Sequence, residues 1–290
     1  MVQRGVLAVT GTGGVAIAVA RRLGSGRVIA IGSRSKSNLQ KTKETLESEG
    51  HHVETFQADM RNQASIDTFA KEAAAIGPVE VVVHTSGISP SQADSVEAIL
   101  ETNLLGTIYV IDAFEQSIVP GGSLIVVSSM GAHMLYLFPS PDAELQHALA
   151  ASAHPDLIEN AQFEAFNTSL TDKGHAYCYT KFANNLRVEG KAVAYAQKGA
   201  RINSVSPGLI MTRMGHDELN GPNREQIEQT RDACPLGRAS TPDDVVNCIA
   251  FLAGRESAFV NGTDLRCDGG TVPAAKWYRP LPEELTHTKD

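Results

Sequence analysis

The chain has 290 residues, and its 25 Lys and Arg against 33 Asp and Glu give it a net charge of −8 at pH 7. Its 42% hydrophobic and 20% charged residues are typical of a globular protein with a sizeable core, and they exclude a disordered chain. The negative charge argues against a general nucleic-acid binder, and the lack of a run of about 18 apolar residues predicts that no segment spans a membrane.

Short apolar runs rich in β-branched residues alternate with helix-length segments along the chain. The runs predict seven strands, at 6–9, 28–31, 53–56, 79–84, 123–127, 201–205 and 264–267. The other segments predict helices, at 14–23, 36–50, 65–76, 91–119, 176–197 and 241–253. Because the runs lack polar alternation, we expect both faces of the sheet to be buried. The pattern predicts an α/β fold in a single domain over 1–290, a Rossmann-like, doubly wound parallel sheet of seven strands with helices on both faces.

Four widely spaced cysteines without a C-x-x-C motif predict reduced thiols in a cytoplasmic protein, not a disulfide framework or a zinc site. They are Cys178, Cys234, Cys248 and Cys267. The histidines in the middle of the chain also lack the spacing of metal ligands, so we expect no metal site.

A glycine-rich turn follows the first predicted strand and precedes the first predicted helix. In its G-x-G-x-x-A pattern, the glycines allow a tight turn and a close approach of the backbone to a pyrophosphate, and the helix N-terminus offers free N–H groups. The residues of the turn are Gly11, Thr12, Gly13, Gly14, Val15 and Ala16. The pattern favours a dinucleotide site, and the alternative is a tight turn without a ligand.

The end of the second predicted strand bears on the choice of cofactor. NAD-binding domains usually place an acidic residue there, whereas this chain has Ser33, Arg34 and Ser35. A guanidinium and two hydroxyls suit a 2′-phosphate, so the sequence favours NADP(H) over NAD(H), which remains the alternative. Arg34 could otherwise be a solvated loop residue.

Tyr177 and Lys181 are four residues apart in a predicted helix and therefore share one face. An ammonium near a phenol favours the phenolate and lowers its pKa from about 10, which gives a general acid/base for work near neutral pH. Tyr179 has no lysine four residues further on, so we expect it to be structural. Ser128 and Ser129 end a predicted strand, where a hydroxyl can hold a carbonyl oxygen beside Tyr177.

In the order and spacing of these motifs, residues 6–271 resemble the short-chain dehydrogenase/reductase family. Thr10 to Ala16 resemble its cofactor turn, Thr85 to Gly87 its N-A-G segment, and Pro207 to Thr212 its P-G-x-x-x-T segment. The resemblance implies a catalytic tetrad of Asn103, Ser129, Tyr177 and Lys181. It also implies cofactor contacts from Asp59, Met60, Thr85, Ser86, Gly87, Tyr177, Lys181, Pro207, Gly208, Ile210 and Thr212.

The resemblance implies hydride transfer between the nicotinamide and a carbonyl carbon, so that a ketone and a secondary alcohol interconvert. Tyr177 would transfer the proton, Lys181 would lower the pKa of Tyr177 and bind the nicotinamide ribose, and Ser129 would polarise the substrate oxygen. Asn103 would hold a water that connects Lys181 to solvent, or would satisfy a bulge in its helix.

Three other functions fit the fold. An NADP(H)-binding regulator without turnover usually lacks a catalytic residue, and an epimerase or dehydratase would use the same Tyr and Lys. Enoyl reduction is disfavoured, because that branch has a lysine seven positions after its tyrosine and this chain has Asn184 there.

Residues 130–176 separate Ser129 from Tyr177, a gap much longer than is usual in the family. The enlarged segment is similar to that of some bacterial 3α-hydroxysteroid dehydrogenase/carbonyl reductases, which suggests a bulky hydrophobic, steroid-like or polycyclic substrate. We expect short helices at 144–153 and 156–166, which form either a pocket wall or a packed hairpin beside the active site. A substrate lid is predicted at 209–235. The candidate substrate contacts are Met130, Met134, Leu135, Met211 and Met214.

The resemblance further implies a homo-oligomer, a dimer or tetramer through the long helices predicted at 91–119 and 176–197. The insertion could block this interface or add to it. The C-terminal tail, 277–290, is either loose or docked on a partner subunit.

Overall fold

A computed structural model of the protein describes residues 4–220 and 224–278. Its centre is one parallel sheet of seven strands in the order β3-β2-β1-β4-β5-β6-β7. The strands are β1 (Val6–Thr10), β2 (Val28–Ser33), β3 (His52–Gln57), β4 (Val79–His84), β5 (Ile118–Val127), β6 (Arg201–Pro207) and β7 (Asp264–Cys267). The predicted fold class and all seven predicted strands are confirmed.

Helices cover both faces of this sheet. The helices that precede β5 are α1 (Gly14–Leu23), α2 (Lys36–Ser48), α3 (Gln63–Ile76), α4 (Val96–Ile99) and α5 (Gly106–Glu115). The later helices are α6 (Ala143–Ala151), α7 (His154–Ile158), α8 (Ala161–Ser169), α9 (Lys173–Gln197), α10 (Arg213–Leu219), α11 (Arg224–Asp232), α12 (Pro242–Ala253) and α13 (Thr271–Tyr278). None of the described helices is long and apolar enough to cross a membrane.

The side chains of the apolar strands belong to two hydrophobic cores, one on each face of the sheet. In β1, Val6 and Ala8 belong to the core under α3, α5 and α9, whereas Leu7 and Val9 belong to the core under α1, α2 and α12. All four side chains are fully buried. This two-sided burial explains why the strand sequences lack polar alternation.

The order of the strands creates a switch point between β1 and β4, which are adjacent and parallel. From β1 the chain builds outward to β2 and β3, and from β4 it builds in the opposite direction to β7. The crevice beyond the carboxyl ends of the two strands at such a point is the usual ligand site of a doubly wound sheet. Here it lies between the glycine-rich turn after β1 and the residues that follow His84.

The single long helix predicted at 91–119 is wrong. The side chain of Ser95 accepts a hydrogen bond from the N–H of Ala98 and begins α4 there, so the preceding residues stay outside the helix. A π-helical segment, Leu100–Leu105, separates α4 from α5. The helix ends at Glu115, because the residues from Ile118 onward join the sheet as the start of β5.

The insertion contains a 3-10 segment, Met130–Leu137, and the three helices α6, α7 and α8. The helix predicted at 156–166 is therefore wrong, because the chain turns at Asn160, whose side chain accepts a hydrogen bond from the N–H of Phe163 and begins α8. The helix predicted at 144–153 corresponds to α6, which begins one residue earlier and ends two residues earlier.

The insertion packs on the outer surface of α5 and α9. The buried Arg187 of α9 donates hydrogen bonds to the main-chain oxygen of Ser152 and to the carboxylate of Asp112 on α5. Ala150 of α6 lies directly against Gly190. An apolar cluster fills the space between, including Leu145, Leu149, Leu157 and Phe163. The packed-hairpin interpretation thus accounts for most apolar residues of the insertion.

The predicted lid at 209–235 contains α10 and α11. It begins with a short parallel bridge between Ile210 and Ser240. Of the tail predicted at 277–290, Trp277 and Tyr278 end α13, and 279–290 lie outside the described residues.

Candidate active site

The glycine-rich turn has the geometry that a dinucleotide needs. Gly11 has a φ of +94°, a left-handed conformation that favours glycine, and its N–H donates to the carbonyl of Gly32 at the end of β2. At Gly13 an added Cβ would meet no atom within 4 Å, so the backbone there is open to a ligand. Gly13 also gives α1 no side-chain cap, which leaves the first N–H groups of the helix available to phosphate. The residues of this turn therefore fit the diphosphate of NAD(P)(H).

The adenosine end of the predicted cofactor site is rich in arginine. Arg34 is exposed at the end of β2, and the Ser35 side chain caps α2. Across the sheet edge, the Arg61 guanidinium lies 3.4 Å from both carboxylate oxygens of Asp59. Burial alone would raise the pKa of Asp59, but the hydrogen bonds and charge of Arg61, with the charge of Arg34, hold it below its usual value. Asp59 is thus an ionised acceptor, and two cations lie near it.

The side chains of Ser129 and Tyr177 both lie close to Gly131. The position where a Gly131 Cβ would stand lies 3.4 Å from Cε1 of Tyr177 and 3.5 Å from Oγ of Ser129. Ser129 follows the carboxyl end of β5, and Tyr177 lies in the second turn of α9. The structure therefore brings together two predicted catalytic side chains that are 48 positions apart in the sequence.

The side chains of Lys181 and Asn103 likewise both lie close to Gly87. A Cβ at Gly87 would lie 3.6 Å from Nζ of Lys181 and 3.2 Å from Oδ1 of Asn103. Nζ of Lys181 also lies 5.7 Å from the centre of the Tyr177 ring. All four predicted catalytic residues thus surround the carboxyl ends of β4 and β5.

Lys181 is 5% exposed, and its Nζ donates to the main-chain oxygen of Val127 at 3.2 Å. Burial lowers the pKa of Lys181 to about 8. An ammonium in such surroundings is poorly screened, so it acts strongly on a neighbouring phenol.

The two serines at the end of β5 have different contacts. Ser128 is buried, and its hydroxyl donates to the main-chain oxygen of Lys181 at 3.1 Å, so it holds α9 against the sheet. The hydroxyl of Ser129 accepts a hydrogen bond from the N–H of Gly131 at 3.1 Å, and its own hydrogen can be donated to a substrate oxygen. These contacts are compatible with the prediction that Ser129, rather than Ser128, is the catalytic serine.

Asn103 lies in the π-helical segment. Its side-chain Oδ1 accepts from the N–H of Ile88, and its Nδ2 donates to the oxygen of the same residue, both at 2.9 Å. These bonds pin the segment after β4 to the helix. The π-helical segment is itself a bulge in the helix, the feature that Asn103 would satisfy in its alternative predicted role.

The remaining predicted cofactor residues lie at the same edge of the sheet. Thr85, Ser86 and Gly87 follow β4, and the Thr85 hydroxyl donates to the main-chain oxygen of Thr10 at 2.6 Å. Pro207 ends β6, and Gly208, Ile210 and Thr212 then lead towards α1, where Cγ2 of Thr212 would be 3.0 Å from a Cβ at Gly14. Met60 is buried, and its main-chain oxygen and Cβ lie against Gly106 at the start of α5.

The predicted substrate residues divide into two groups. Met130, Met134, Met211 and Met214 are all at least partly exposed, the last at 38%. Leu135 is 4% exposed and packs into the cluster between α9 and the insertion.

Three residues near the site were missed at the sequence level. His84 ends β4, Thr107 lies in α5, and Asn184 lies on the Tyr177–Lys181 face of α9; all three are buried and hydrogen-bonded to one another or to Asn103. For Asn184 a signal existed, because positions i, i+4 and i+7 share a helix face. For His84 the signal was its place directly before the segment that resembles the family's N-A-G segment, where asparagine is usual and a histidine implies different hydrogen bonding. For Thr107 the sequence held none, since its contact with His84 joins two separate elements. Among the described residues, no group of three acidic, His or Cys side chains could hold a metal.

Comparisons with known proteins agree with this geometry. Residues 5–140 match the family model described as short chain dehydrogenase, and residues 160–272 match one described as enoyl-(acyl carrier protein) reductase. The chain is 32% identical to the short-chain dehydrogenase/reductase bsc3 of Alternaria brassicicola, over 93% of this chain and 96% of that one. It is 27% identical to an L-rhamnose 1-dehydrogenase (NAD(P)(+)) of a Sphingomonas species, over 85% of this chain and 91% of that one.

Solved structures share the fold. An actinorhodin polyketide ketoreductase with NADPH has a TM-score of 0.71 at 21% identity, with 93% of this chain and 97% of that chain covered. A short-chain dehydrogenase of Burkholderia cenocepacia in complex with NADP has a TM-score of 0.70 at 23% identity, with 93% and 97% covered.

A doubly wound sheet with a dinucleotide turn and a Ser–Tyr–Lys site defines a class of oxidoreductases. The protein belongs to the short-chain dehydrogenase/reductase family.

Proposed function

We propose that this protein interconverts a ketone and a secondary alcohol with NADP(H). The observation that carries the proposal is the meeting of the Tyr177 ring, the Ser129 hydroxyl and the buried Lys181 ammonium beside the glycine-rich turn. A proton donor, a hydrogen-bond donor and a cation around one point are what reduction of a carbonyl group requires.

When bound, the nicotinamide would supply or accept the hydride. In the direction of reduction, Tyr177 donates its phenolic proton to the carbonyl oxygen, and Ser129 donates a hydrogen bond to the same oxygen. The charge of Lys181 favours the phenolate that remains on Tyr177, so the proton leaves more easily. In the direction of oxidation, the phenolate of Tyr177 takes the proton of the alcohol.

The preference for NADP(H) is supported by Arg34, exposed where an NAD-binding domain usually has an acid. A bulky hydrophobic substrate, steroid-like or polycyclic, is supported by the partly exposed Met130, Met134, Met211 and Met214 on the 3-10 segment and the lid. Methionine suits such a surface because its side chain adapts to the shape of an apolar ligand. The four free thiols fit a reducing, cytoplasmic setting.

Tyr177→Phe tests the chemistry, and Tyr179→Phe is its matched control. Tyr179 lies two residues away on α9, and its buried hydroxyl has no hydrogen-bond partner among the described residues. We expect Tyr177→Phe to lower kcat by about 10²- to 10⁴-fold, the usual contribution of a general acid, with NADPH still bound. Tyr179→Phe should keep the wild-type kcat. Equal activity of the two variants would contradict the assignment.

A panel of ketones tests the substrate class. Consumption of NADPH and, separately, of NADH would be followed by absorbance with small ketones, decalones and keto-steroids. Faster turnover of the bulky ketones with NADPH would support the proposal. Turnover of small ketones alone, or with NADH alone, would overturn the substrate or cofactor assignment. A bound cofactor without any turnover would contradict the oxidoreductase proposal for these substrates.

A further inference from the structure

His84 is a buried histidine with no part in the chemistry proposed above. It is the last residue of β4 and is 1% exposed. Its Nδ1 lies 2.7 Å from the hydroxyl of Thr10, which immediately precedes Gly11. Its Nε2 lies 3.1 Å from the hydroxyl of Thr107 in α5. The imidazole thus bridges the cofactor turn and the helix that follows Asn103.

Hydrogen-bond counting assigns the proton on this imidazole. The Thr107 hydroxyl has one hydrogen, which it donates to the main-chain oxygen of Asn103 at 2.7 Å. It must therefore accept a hydrogen bond from Nε2–H of His84. Nδ1 of His84 is then an acceptor, and the Thr10 hydroxyl donates to it.

The Thr10 hydroxyl is satisfied by the same assignment. Its oxygen accepts from the N–H groups of Thr85 at 3.1 Å and Ser86 at 3.3 Å, which leaves its hydrogen for His84. With a neutral imidazole protonated on Nε2, both ring nitrogens of His84 and the hydroxyls of Thr10 and Thr107 all have hydrogen-bond partners and form one row. Burial, with the nearby charge of Lys181 as a second cause, lowers the pKa of His84 to about 3, so the imidazole stays neutral at any working pH.

The row continues to the catalytic helix. The main-chain oxygen of Asn103 accepts a second hydrogen bond, at 2.9 Å, from Nδ2 of Asn184. Asn184 is fully buried on α9, seven residues after Tyr177 and three after Lys181. An unbroken row of hydrogen bonds therefore joins the strand before the cofactor turn to the helix that carries the acid/base.

We propose that His84 is a positioning residue that fixes the glycine-rich turn relative to the Tyr177–Lys181 helix. The hydrogen bond that Nδ1 accepts from Thr10, here called the Nδ1 arm, holds Thr10 and through it the backbone of Thr85 and Ser86, next to the cofactor site. The hydrogen bond that Nε2–H donates to Thr107, here called the Nε2 arm, holds Thr107. Thr107 in turn holds the Asn103 carbonyl, which is hydrogen-bonded to α9. The two arms have separable effects: the first acts on cofactor affinity and the second on the rate of the chemical step. The role in catalysis rests on the proposed function, whereas the role in cofactor binding does not.

Two substitutions separate the arms. His84→Asn keeps an acceptor near the position of Nδ1 and cannot reach Thr107, whereas His84→Gln keeps a donor near the position of Nε2. We expect His84→Asn to keep the wild-type Kd for NADPH and to lose about 10-fold in kcat, because Thr107 and the Asn103 carbonyl are then no longer held in place. His84→Gln should show the opposite: a Kd raised about 10-fold and a nearly unchanged kcat at saturating NADPH.

Thr107→Val tests the Nε2 arm without changing the histidine. It removes only the hydroxyl, so it should reproduce the loss in kcat of His84→Asn with an unchanged Kd. Combined with His84→Asn, it should add little, because both break the same arm. Ser123→Ala is the control: it removes a buried hydroxyl that donates to the main-chain oxygen of Leu252, far from the crevice, and should leave kcat and Kd unchanged.

The measurements are a fluorescence titration with NADPH, steady-state kinetics, and circular dichroism to show that each variant is folded. The titration compares His84→Asn with His84→Gln without any turnover, so it tests the positioning role even if the proposed reaction fails. Equal changes in Kd for the two variants, or no change in either, would overturn the proposal. Parallel changes in kcat and Kd in all variants would overturn it as well.

Discussion

At the scale of single residues, burial decides how the charged and polar groups of the site behave. Lys181 and His84 are both almost fully buried, and burial lowers the pKa of each, to about 8 and about 3. The histidine is thereby a fixed neutral hydrogen-bonding group. The lysine remains cationic near neutral pH at a cost to the stability of the fold.

The buried lysine makes stability depend on pH. Between pH 8 and 10.5 the unfolded chain, in which Lys181 has its usual pKa of 10.5, binds more protons than the folded chain. Stability of the cofactor-free protein therefore rises with pH in this window, and below pH 8 the burial of the charge costs roughly 3 kcal/mol. Lys181→Met should remove this cost and raise the free energy of unfolding at pH 7, while abolishing turnover.

Urea unfolding of wild type and Lys181→Met at pH 7 and pH 10 measures this effect. The advantage of the variant should shrink at pH 10, because the wild-type lysine has by then lost most of its charge in the folded state. An advantage of equal size at both pH values would show that the difference comes from packing rather than from the charge.

At the scale of elements, α9 has two separate tasks. Its first turns carry Tyr177 and Lys181, and its later turns carry Arg187 and Gly190, which hold the insertion. The main mass of the insertion thus lies on the part of α9 remote from the acid/base. Two parts of the insertion lie near the acid/base: the 3-10 segment, where Gly131 adjoins Tyr177, and α8, where the rings of Phe166 and Tyr179 lie 4.7 Å apart.

Gly190 is a point of close contact between α9 and α6. A Cβ at Gly190 would stand 2.1 Å from the main-chain oxygen of Ala150, and backbone cannot yield cheaply. Gly190→Ala should therefore lower the free energy of unfolding by about 1–3 kcal/mol, the usual range for overpacking. The Kd for NADPH should not change, since the cofactor turn lies elsewhere.

Chemical denaturation and an NADPH titration test this prediction. Val193→Ala, on the exposed face of the same helix, is the control and should change neither quantity measurably. A Gly190→Ala protein as stable as wild type would mean that α6 can move away from α9 without loss.

At the scale of the whole molecule, the proposed cofactor site draws on the ends of strands in both halves of the sheet. The glycine-rich turn follows β1, Arg34 follows β2, and the segments after β4, β5 and β6 supply the rest. A ligand that binds all of these segments stabilises the complete sheet, because it binds only the folded state.

NADPH should therefore raise the midpoint of thermal unfolding. At 100 times its Kd the expected gain is about 2.7 kcal/mol. At equal concentrations NADH should give a smaller shift, because it lacks the 2′-phosphate that Arg34 would bind. Arg34→Ala should reduce the NADPH shift to that of NADH, whereas Lys41→Ala, an exposed cation on α2, should not. Equal shifts with both cofactors in wild type would contradict the preference.

The covering of α5 and α9 also bears on assembly. The family resemblance implied an oligomer through the two long helices predicted at 91–119 and 176–197. In the structure, the insertion contacts both helices: the ring of His154 lies 4.8 Å from that of Tyr109 on α5, and Ala150 lies against Gly190 on α9. The same surface is therefore not free for a second copy along that part of the two helices.

Features that depend on local physics could be predicted from the sequence. Apolar runs such as Val79 to His84 predicted the strands, since a strand buried on both faces needs no information from distant residues. The glycine-rich turn and the Tyr177–Lys181 pair were equally readable, because their geometry follows from a tight turn and from one turn of helix.

Contacts between distant elements follow from the packing of the folded chain. Nothing near His84 in the sequence indicates Thr10 or Thr107, which lie 74 and 23 positions away. The π-helical segment, the burial of Leu135 and the position of the insertion on α9 likewise follow from packing against other elements. Local propensity sets which segments can form helices and strands, and long-range packing sets where they begin, end and meet.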